Sequence, residues 1–275
     1  MGERKRRLSR FKLAHPVCCF CGGEAATETI DHIPPKVTFI GSQLPAGSNI
    51  EYPACTACNS NSSQYDQICA MIGLTSPHEP SETERKHFIK VLNGVQNNAG
   101  STIREINRGY AGWRHLGRKF TENTGIEAHA SELGPNNRKA IFVLAAKLAL
   151  AHFYRETGRI LTPNGAVVVD MITNVKLFQN EIPDNYKLST KFRTLSKHDK
   201  QEQFLFRHIL SESEDVGIFQ FVLHLNLMLV AMVMEDRNRH PVELENERTF
   251  IPGFLATLTK PNTTFSTSAF FRVAD

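Results

Sequence analysis

The sequence predicts an α+β fold in which a small cysteine-rich unit precedes a larger region of mixed helices and strands. Two observations support this division. All six cysteines of the 275-residue chain fall between Cys18 and Cys69. Beyond them, apolar residues at helical spacing alternate with short runs of β-branched residues, the patterns of helices and strands. Apolar residues make up 41% and charged residues 22% of the chain, which is typical of globular proteins.

The chain begins with a basic arm, residues 1–14, which carries six Lys or Arg residues against one Glu. Since the net charge of the whole chain is +4, the remainder is nearly neutral. Such an arm suits phosphate binding, because each Lys or Arg placed on nucleic acid releases counterions. A solubilising terminus is the alternative. No apolar stretch of secretory-signal length follows the basic start, so we expect a cytoplasmic protein.

Two Cys-x-x-Cys pairs dominate residues 15–75. Their members are Cys18 and Cys21 in the first pair and Cys55 and Cys58 in the second. Two such pairs supply the four thiolates of a tetrahedral zinc site, and Gly22-Gly23 permits a tight turn after the first. A disulfide framework is disfavoured in a cytoplasmic protein, and a dithiol redox site needs only one pair. We therefore predict structural Zn2+, with Cys19 turned away from it and Cys69 in the core.

Three helices are predicted from apolar residues at helical spacing. The first begins just after the second cysteine pair, and its stripe is formed by Tyr65, Ile68, Cys69 and Ile72. The second starts at the capping box Ser81-x-x-Glu84. The third runs over about residues 137–156 and ends at Gly158. Between the second and the third, residues 97–135 are rich in Gly and Asn, which predicts loops with short elements.

Strands are predicted in the C-terminal region from β-branched and aromatic runs. They cover residues 166–172, 204–209 and 218–234, with a turn at 211–217. Val216–Val233 is apolar enough to raise the question of a membrane span, but His224 and Asn226 lie near its middle. Paired buried strands are therefore favoured over a membrane helix, and we expect no membrane association. Residues 76–275 are predicted to form an α+β region that binds substrate, a signal or a partner.

A constellation of polar residues lies between and just after the cysteine pairs. Asp31-His32 stands ahead of Pro34-Pro35, Asn49 follows, and Asn59 comes directly after the second pair. This arrangement resembles the HNH endonucleases, whose outline is Cys-x-x-Cys, Asp-His-Ile/Val-x-Pro, a central Asn, and a second Cys-x-x-Cys followed by His or Asn. More narrowly, it is similar to bacterial HNH proteins of phage-defence loci. The resemblance covers about residues 15–75, a quarter of the chain.

The resemblance implies a ββα-metal module stabilised by zinc and a metal-dependent endonuclease that cleaves DNA, with RNA as the alternative substrate. Phosphodiester hydrolysis needs a base near neutral pH and a cation at the scissile phosphate. His32 would be the general base. Asp31 and Asn59 would bind catalytic Mg2+ or Mn2+ through oxygen atoms, and Asn49 would orient the base. A role in antiviral defence is implied as well.

Two of these assignments have competitors in the sequence. Asn49 follows Gly47 and Ser48 and also fits a simple turn. Asn61 competes with Asn59, but the family outline favours Asn59, and Asn61 suits a helix cap. Where many members carry Lys or Arg after the second pair, this chain has Ser and Asn, so Lys36 or the basic arm would have to contact the phosphate backbone.

The principal rival function is a zinc-knuckle protein that binds nucleic acid or scaffolds a complex without catalysis. A further hypothesis concerns regulation: the chain would be the nuclease subunit of a defence complex, silent until a sensor or ATPase partner engages residues 76–275. Homo-oligomerisation through the apolar segment Ile218–Met234 is equally compatible with the sequence.

Overall fold

The computed structural model describes residues 2–40, 50–75, 81–124, 133–173, 203–244 and 246–259, together with a few positions between 184 and 194. In the N-terminal part the elements are α1 (Glu3–Ala14), β1 (Thr29–His32), a 3-10 turn (Lys36–Thr38), β2 (Glu51–Ala54) and α2 (Thr56–Gly73). After these come α3 (Glu82–Thr124), α4 (Pro135–Thr157), β3 (Ala166–Thr173), β4 (Arg193–Thr194), β5 (Phe204–Leu210), β6 (Val216–Leu223), β7 (Leu227–Met234), β8 (Thr249–Phe250) and a 3-10 turn (Phe254–Thr257). The predicted mixed α+β class is confirmed.

Two antiparallel sheets differ greatly in size. β1 and β2 form a two-stranded sheet, whereas the larger sheet has the order β4-β5-β6-β7-β3-β8. In the larger sheet β6 and β7 are paired along their full lengths, from Val216 opposite Met234 to Leu223 opposite Leu227. The prediction of paired buried strands for this apolar segment is therefore confirmed. None of the helices in the described part of the chain is long and apolar enough to cross a bilayer.

Helix α4 lies at the centre of the molecule. It packs against α2 on one side and against β3, β6 and β7 of the larger sheet on the other. Every residue from Ala140 to Phe153 is buried, which explains why its sequence is apolar on nearly all faces. Gly158 ends the helix in the left-handed conformation, φ 71°, as predicted. One hydrophobic core runs from the cysteine pairs through α4 to the sheet.

The prediction of loops for residues 97–135 is wrong as far as Thr124, because α3 continues to that residue. The capping box is confirmed at its start: Ser81 and Glu84 exchange hydrogen bonds between side chain and backbone N–H. Ala99, with φ −150° and ψ 43°, marks a kink inside the Gly- and Asn-rich stretch. The helix continues beyond the kink because Ile103 and Ile106 pack on the core, and this tertiary contact outweighs the poor helix propensity of Gly and Asn.

Candidate functional site

The two cysteine pairs come together in a buried cluster. Sγ atoms of Cys18, Cys21 and Cys55 all lie within 4.8 Å of one another. The thiol of Cys58 is hydrogen-bonded with those of Cys18 and Cys55. The hydrogen bond from Cys58 lowers the pKa of the Cys18 thiol to about 5, whereas the same bond raises the pKa of Cys58 and burial raises the pKa of Cys21 to about 11. Four thiols this close cannot all ionise easily without a cation to offset their charge. These residues could hold a metal such as zinc, as the sequence predicts.

Backbone N–H groups point at the sulfurs of both pairs. Ala25 N–H donates to Sγ of Cys21 at 3.3 Å, and Cys58 N–H donates to Sγ of Cys55 at 3.4 Å. The turn after the first pair needs positive φ at Gly22 and Gly23, 72° and 85°, which glycine adopts without strain. Cys55 is the N-cap of α2, so the helix begins earlier than the predicted stripe suggested. The interpretation of Asn61 as its cap is therefore wrong; the Asn61 amide donates to Ala256 O at 2.9 Å.

The pairing of β1 with β2 places Asp31 and His32 on opposite faces. Asp31 lies opposite Tyr52 and is 6% exposed, whereas His32 lies opposite Glu51 and is partly exposed. Oδ1 of Asp31 accepts a hydrogen bond from the backbone N–H of His32 at 2.8 Å. The two neighbours are thus available for different tasks, one facing the interior and one the surface.

Asp31 takes part in a buried ion cluster that sequence spacing did not reveal. Nζ of Lys147, on α4, lies 2.8 Å from Oδ2 of Asp66 on α2 and 2.9 Å from Oδ2 of Asp31. The Lys147 side chain is completely buried. Burial lowers its pKa, but the two carboxylates outweigh that effect and raise it above the usual value, so Lys147 carries a charge. A lysine inside an otherwise apolar helix was the available signal, because such a charge needs buried partners.

A cleft of about 220 Å³ opens beside this cluster. It is lined by Asp31, His32, Pro35, Lys36, Val37, Ser63, Asp66 and Gln67. One wall is therefore β1, another is the middle of α2, and the 3-10 turn after β1 closes a third side. The lining residues thus include one histidine, two aspartates and one lysine.

His32 is flanked by charges of both signs. Its Nε2 lies 3.5 Å from Oε1 of Glu51, and the same carboxylate pairs with Arg7 of the basic helix α1. Burial, followed by the positive charge of Lys36, lowers the pKa of His32 below its usual value. The imidazole is therefore neutral at neutral pH and able to accept a proton.

The structure does not test the roles predicted for Asn59 and Asn49. The Asn59 amide donates to Oγ1 of Thr29 at 3.3 Å, which holds the side chain against β1 on the Asp31 face. Asn59 is not among the residues that line the cleft. Asn49 lies outside the described residues. Both assignments stay predictions.

The chain matches no protein-family model, no curated protein and no solved structure. A function must therefore be inferred from the chemistry of the thiol cluster, the buried ion cluster and the cleft. These three features meet at β1 and α2, which between them carry Asp31, His32, Asn59 and Asp66.

Proposed function

We propose that this chain is a metal-dependent endonuclease that hydrolyses phosphodiester bonds of DNA, with His32 as the general base. The observation that carries the proposal is a cleft lined by both Asp31 and His32. Hydrolysis of a phosphodiester needs a proton acceptor for water and a hard cation on the phosphate, and this cleft offers groups suited to both.

Zinc would be structural in this proposal. Four cysteines fit tetrahedral Zn2+, and they connect the turn before β1 to the N-terminus of α2. Because β1 and β2 have only four residues each, bound metal would add to the stability that this unit draws from the shared hydrophobic core. The order strand, strand, helix around the cluster is what a ββα-metal module requires.

The catalytic cation would be Mg2+ or Mn2+, bound through carboxylate oxygen. Asp31 fits this role because its carboxylate lines the cleft and both ions prefer oxygen ligands. Asn59 would contribute its amide oxygen from the start of α2. When bound, the cation neutralises the scissile phosphate and stabilises the departing 3′ oxygen.

The chain's own groups would then carry the proton transfer. Glu51 beside Nε2 favours the tautomer with hydrogen on that nitrogen, so Nδ1 of His32 accepts the proton of the attacking water. The water oxygen forms a bond to phosphorus as the bond to the 3′ oxygen breaks. Lys36 on the cleft wall would bind a non-bridging phosphate oxygen.

Helix α1 would extend the binding surface for nucleic acid. None of its residues is buried, and Arg7 connects it to Glu51 beside His32. Its remaining Lys and Arg side chains are therefore available to phosphates that flank the cleft. Affinity that depends on such contacts falls as salt rises.

Plasmid nicking by the full zinc-loaded chain in Mg2+ or Mn2+ tests the proposal. His32→Ala should lower the cleavage rate by about 10²- to 10⁴-fold, the usual contribution of a general base. His240→Ala is the matched control, because His240 lies beyond β7 and does not line the cleft. Cleavage that survives His32→Ala would refute the mechanism. Binding without cleavage by the intact chain would favour the zinc-knuckle binding protein.

A further inference from the structure

The Asp66 side chain has an oxygen without a partner. Asp66 is 7% exposed, and among the described residues none forms a hydrogen bond with its Oδ1. A buried carboxylate oxygen left in this state costs free energy, because it has lost water and gained nothing in return. Asp66 also lines the cleft beside Asp31. Asp66 therefore lines the cleft and carries an oxygen atom for which the described part of the chain provides no donor.

Lys147 contacts both carboxylates. Its Nζ contacts Oδ2 of Asp66 and Oδ2 of Asp31, and the contact with Asp31 is an ion pair without good hydrogen-bond alignment. Oδ1 of Asp66 remains for another ligand, whereas Oδ1 of Asp31 accepts a hydrogen bond from the backbone N–H of His32. Carboxylates that bind metals are commonly held by a second partner through their other oxygen.

We propose that Asp66 is a second carboxylate ligand of the divalent cation that Asp31 binds, and that Lys147 is the positioning residue that orients both carboxylates. Asp66 lies seven residues, or about two helical turns, after Asn59 and so shares its side of α2. It differs from Asn59 in reaching the cleft. The inference deepens the proposed nuclease function, but it predicts metal binding that is measurable without any substrate.

Charge supports a cation at this place. When both carboxylates are ionised, they and the ammonium carry a net charge of −1, and the three side chains are at most 10% exposed. Burial raises the pKa of Asp66 to about 6, so this charge is present at neutral pH and above. A hard divalent ion with few protein ligands, completed by water and phosphate, suits such a site. Lys147 is too buried to touch a substrate. Its role is therefore restricted to the two aspartates, and α4 contributes directly to a site that the sequence placed wholly within residues 15–75.

Titration with Mn2+, followed by electron paramagnetic resonance, tests this inference on the full zinc-loaded chain. The signal of free Mn2+ disappears on binding, and Mn2+ does not displace zinc from four thiolates. Lys147→Met should weaken Mn2+ binding by about 10- to 100-fold, as expected for loss of a partner that orients ligands. Asp66→Asn, which keeps the shape of the side chain and its contact with Lys147, should weaken it at least as much.

Asp170→Asn is the matched control, because Asp170 pairs with Arg248 on the larger sheet and does not line the cleft. It should bind Mn2+ as the wild type does. Zinc content and circular dichroism verify the fold of each variant. If Lys147→Met does not fold, Asp66→Asn still decides the question, since unchanged Mn2+ affinity in that variant overturns the inference.

The two proposals fail in different ways. If the chain binds Mn2+ through Asp31 and Asp66 but does not cleave DNA, the metal site is supported and the nuclease function is refuted. If the chain cleaves DNA but Asp66→Asn binds Mn2+ as the wild type does, the nuclease function is supported and the role of Asp66 as a metal ligand is refuted. A wild-type chain that binds no Mn2+ overturns the metal site directly.

Discussion

The cysteine-rich part of the molecule and the sheet part meet on α4, and they are stabilised in partly different ways. In the sheet part β6 and β7 are eight residues long and almost fully buried. In the cysteine-rich part the strands have four residues each, and buried polar side chains are frequent. They include Thr27, Asp31, Thr38, Ser62 and Asp66. Both parts share one hydrophobic core, but only the cysteine-rich part adds a thiol cluster and a buried ion cluster to it.

The proposed nuclease function would account for this difference. A cleft that binds phosphate and metal needs carboxylates and an imidazole, and these groups weaken a hydrophobic core when buried. The cysteine cluster supplies the missing stability at a point that does not line the cleft. Lys147 connects the two parts, because it extends from the apolar helix α4 to the aspartates of the cysteine-rich part.

The strongest test of this comparison is removal of one thiol ligand. Cys55→Ser should lose the zinc and lower the free energy of unfolding by more than about 5 kcal/mol, since structural zinc contributes about 10–16 kcal/mol in small zinc-dependent folds. Zinc per chain and thermal unfolding by circular dichroism measure the two effects. Cys69→Ala is the control: Cys69 is equally buried but outside the cluster, so that variant should retain one zinc. Wild-type stability without zinc would contradict the comparison.

Much of the fold could be predicted because the signals were local. Ser81 with Glu84, the glycine after α4, and the apolar run that became β6 and β7 each carry their structure in a few neighbouring residues. The continuation of α3 across its Gly- and Asn-rich stretch could not be predicted from the sequence. Contacts of Ile103 and Ile106 with distant core residues determine it, and local propensity opposes it.

Only some residues of the candidate site could likewise be predicted from the sequence. Asp31 and His32 were identified from a short motif, and the structure places both on the cleft. Asp66 and Lys147 are 81 positions apart in the sequence, and no spacing rule connects them. Their pairing depends on how α2 packs against α4. The four cysteines were predictable because two identical pairs form a pattern, whereas a single lysine and a single aspartate do not.

A core substitution in α4 should affect both parts at once. Leu144 is completely buried in the shared core, so Leu144→Ala should cost about 2–5 kcal/mol of unfolding free energy. Urea unfolding monitored by circular dichroism measures it, and zinc content should stay unchanged in the folded variant. Ile89→Ala is the control at a position 44% exposed, where the expected change is within about 0.5 kcal/mol. Two separate unfolding transitions would show that the parts are independent.

The smallest expected effect concerns His224, which connects the loop between β6 and β7 to the cysteine-rich part. Its Nε2–H donates to Thr38 O at 2.8 Å, and burial lowers its pKa to about 4 despite this bond; His87 lowers the pKa further and Glu84 opposes it. The unfolded state therefore binds a proton below about pH 6.5 while the folded state does not. The contribution of His224 to the free energy of unfolding is therefore fully present above that pH and is lost as the pH falls toward 4. A glutamine amide keeps the hydrogen-bond donor and does not titrate. Between pH 7 and pH 5 the free energy of unfolding of His224→Gln should therefore fall by about 1–2 kcal/mol less than that of the wild type. Urea unfolding of both proteins at the two pH values measures the difference, and equal losses of unfolding free energy would show that burial does not lower the pKa of His224.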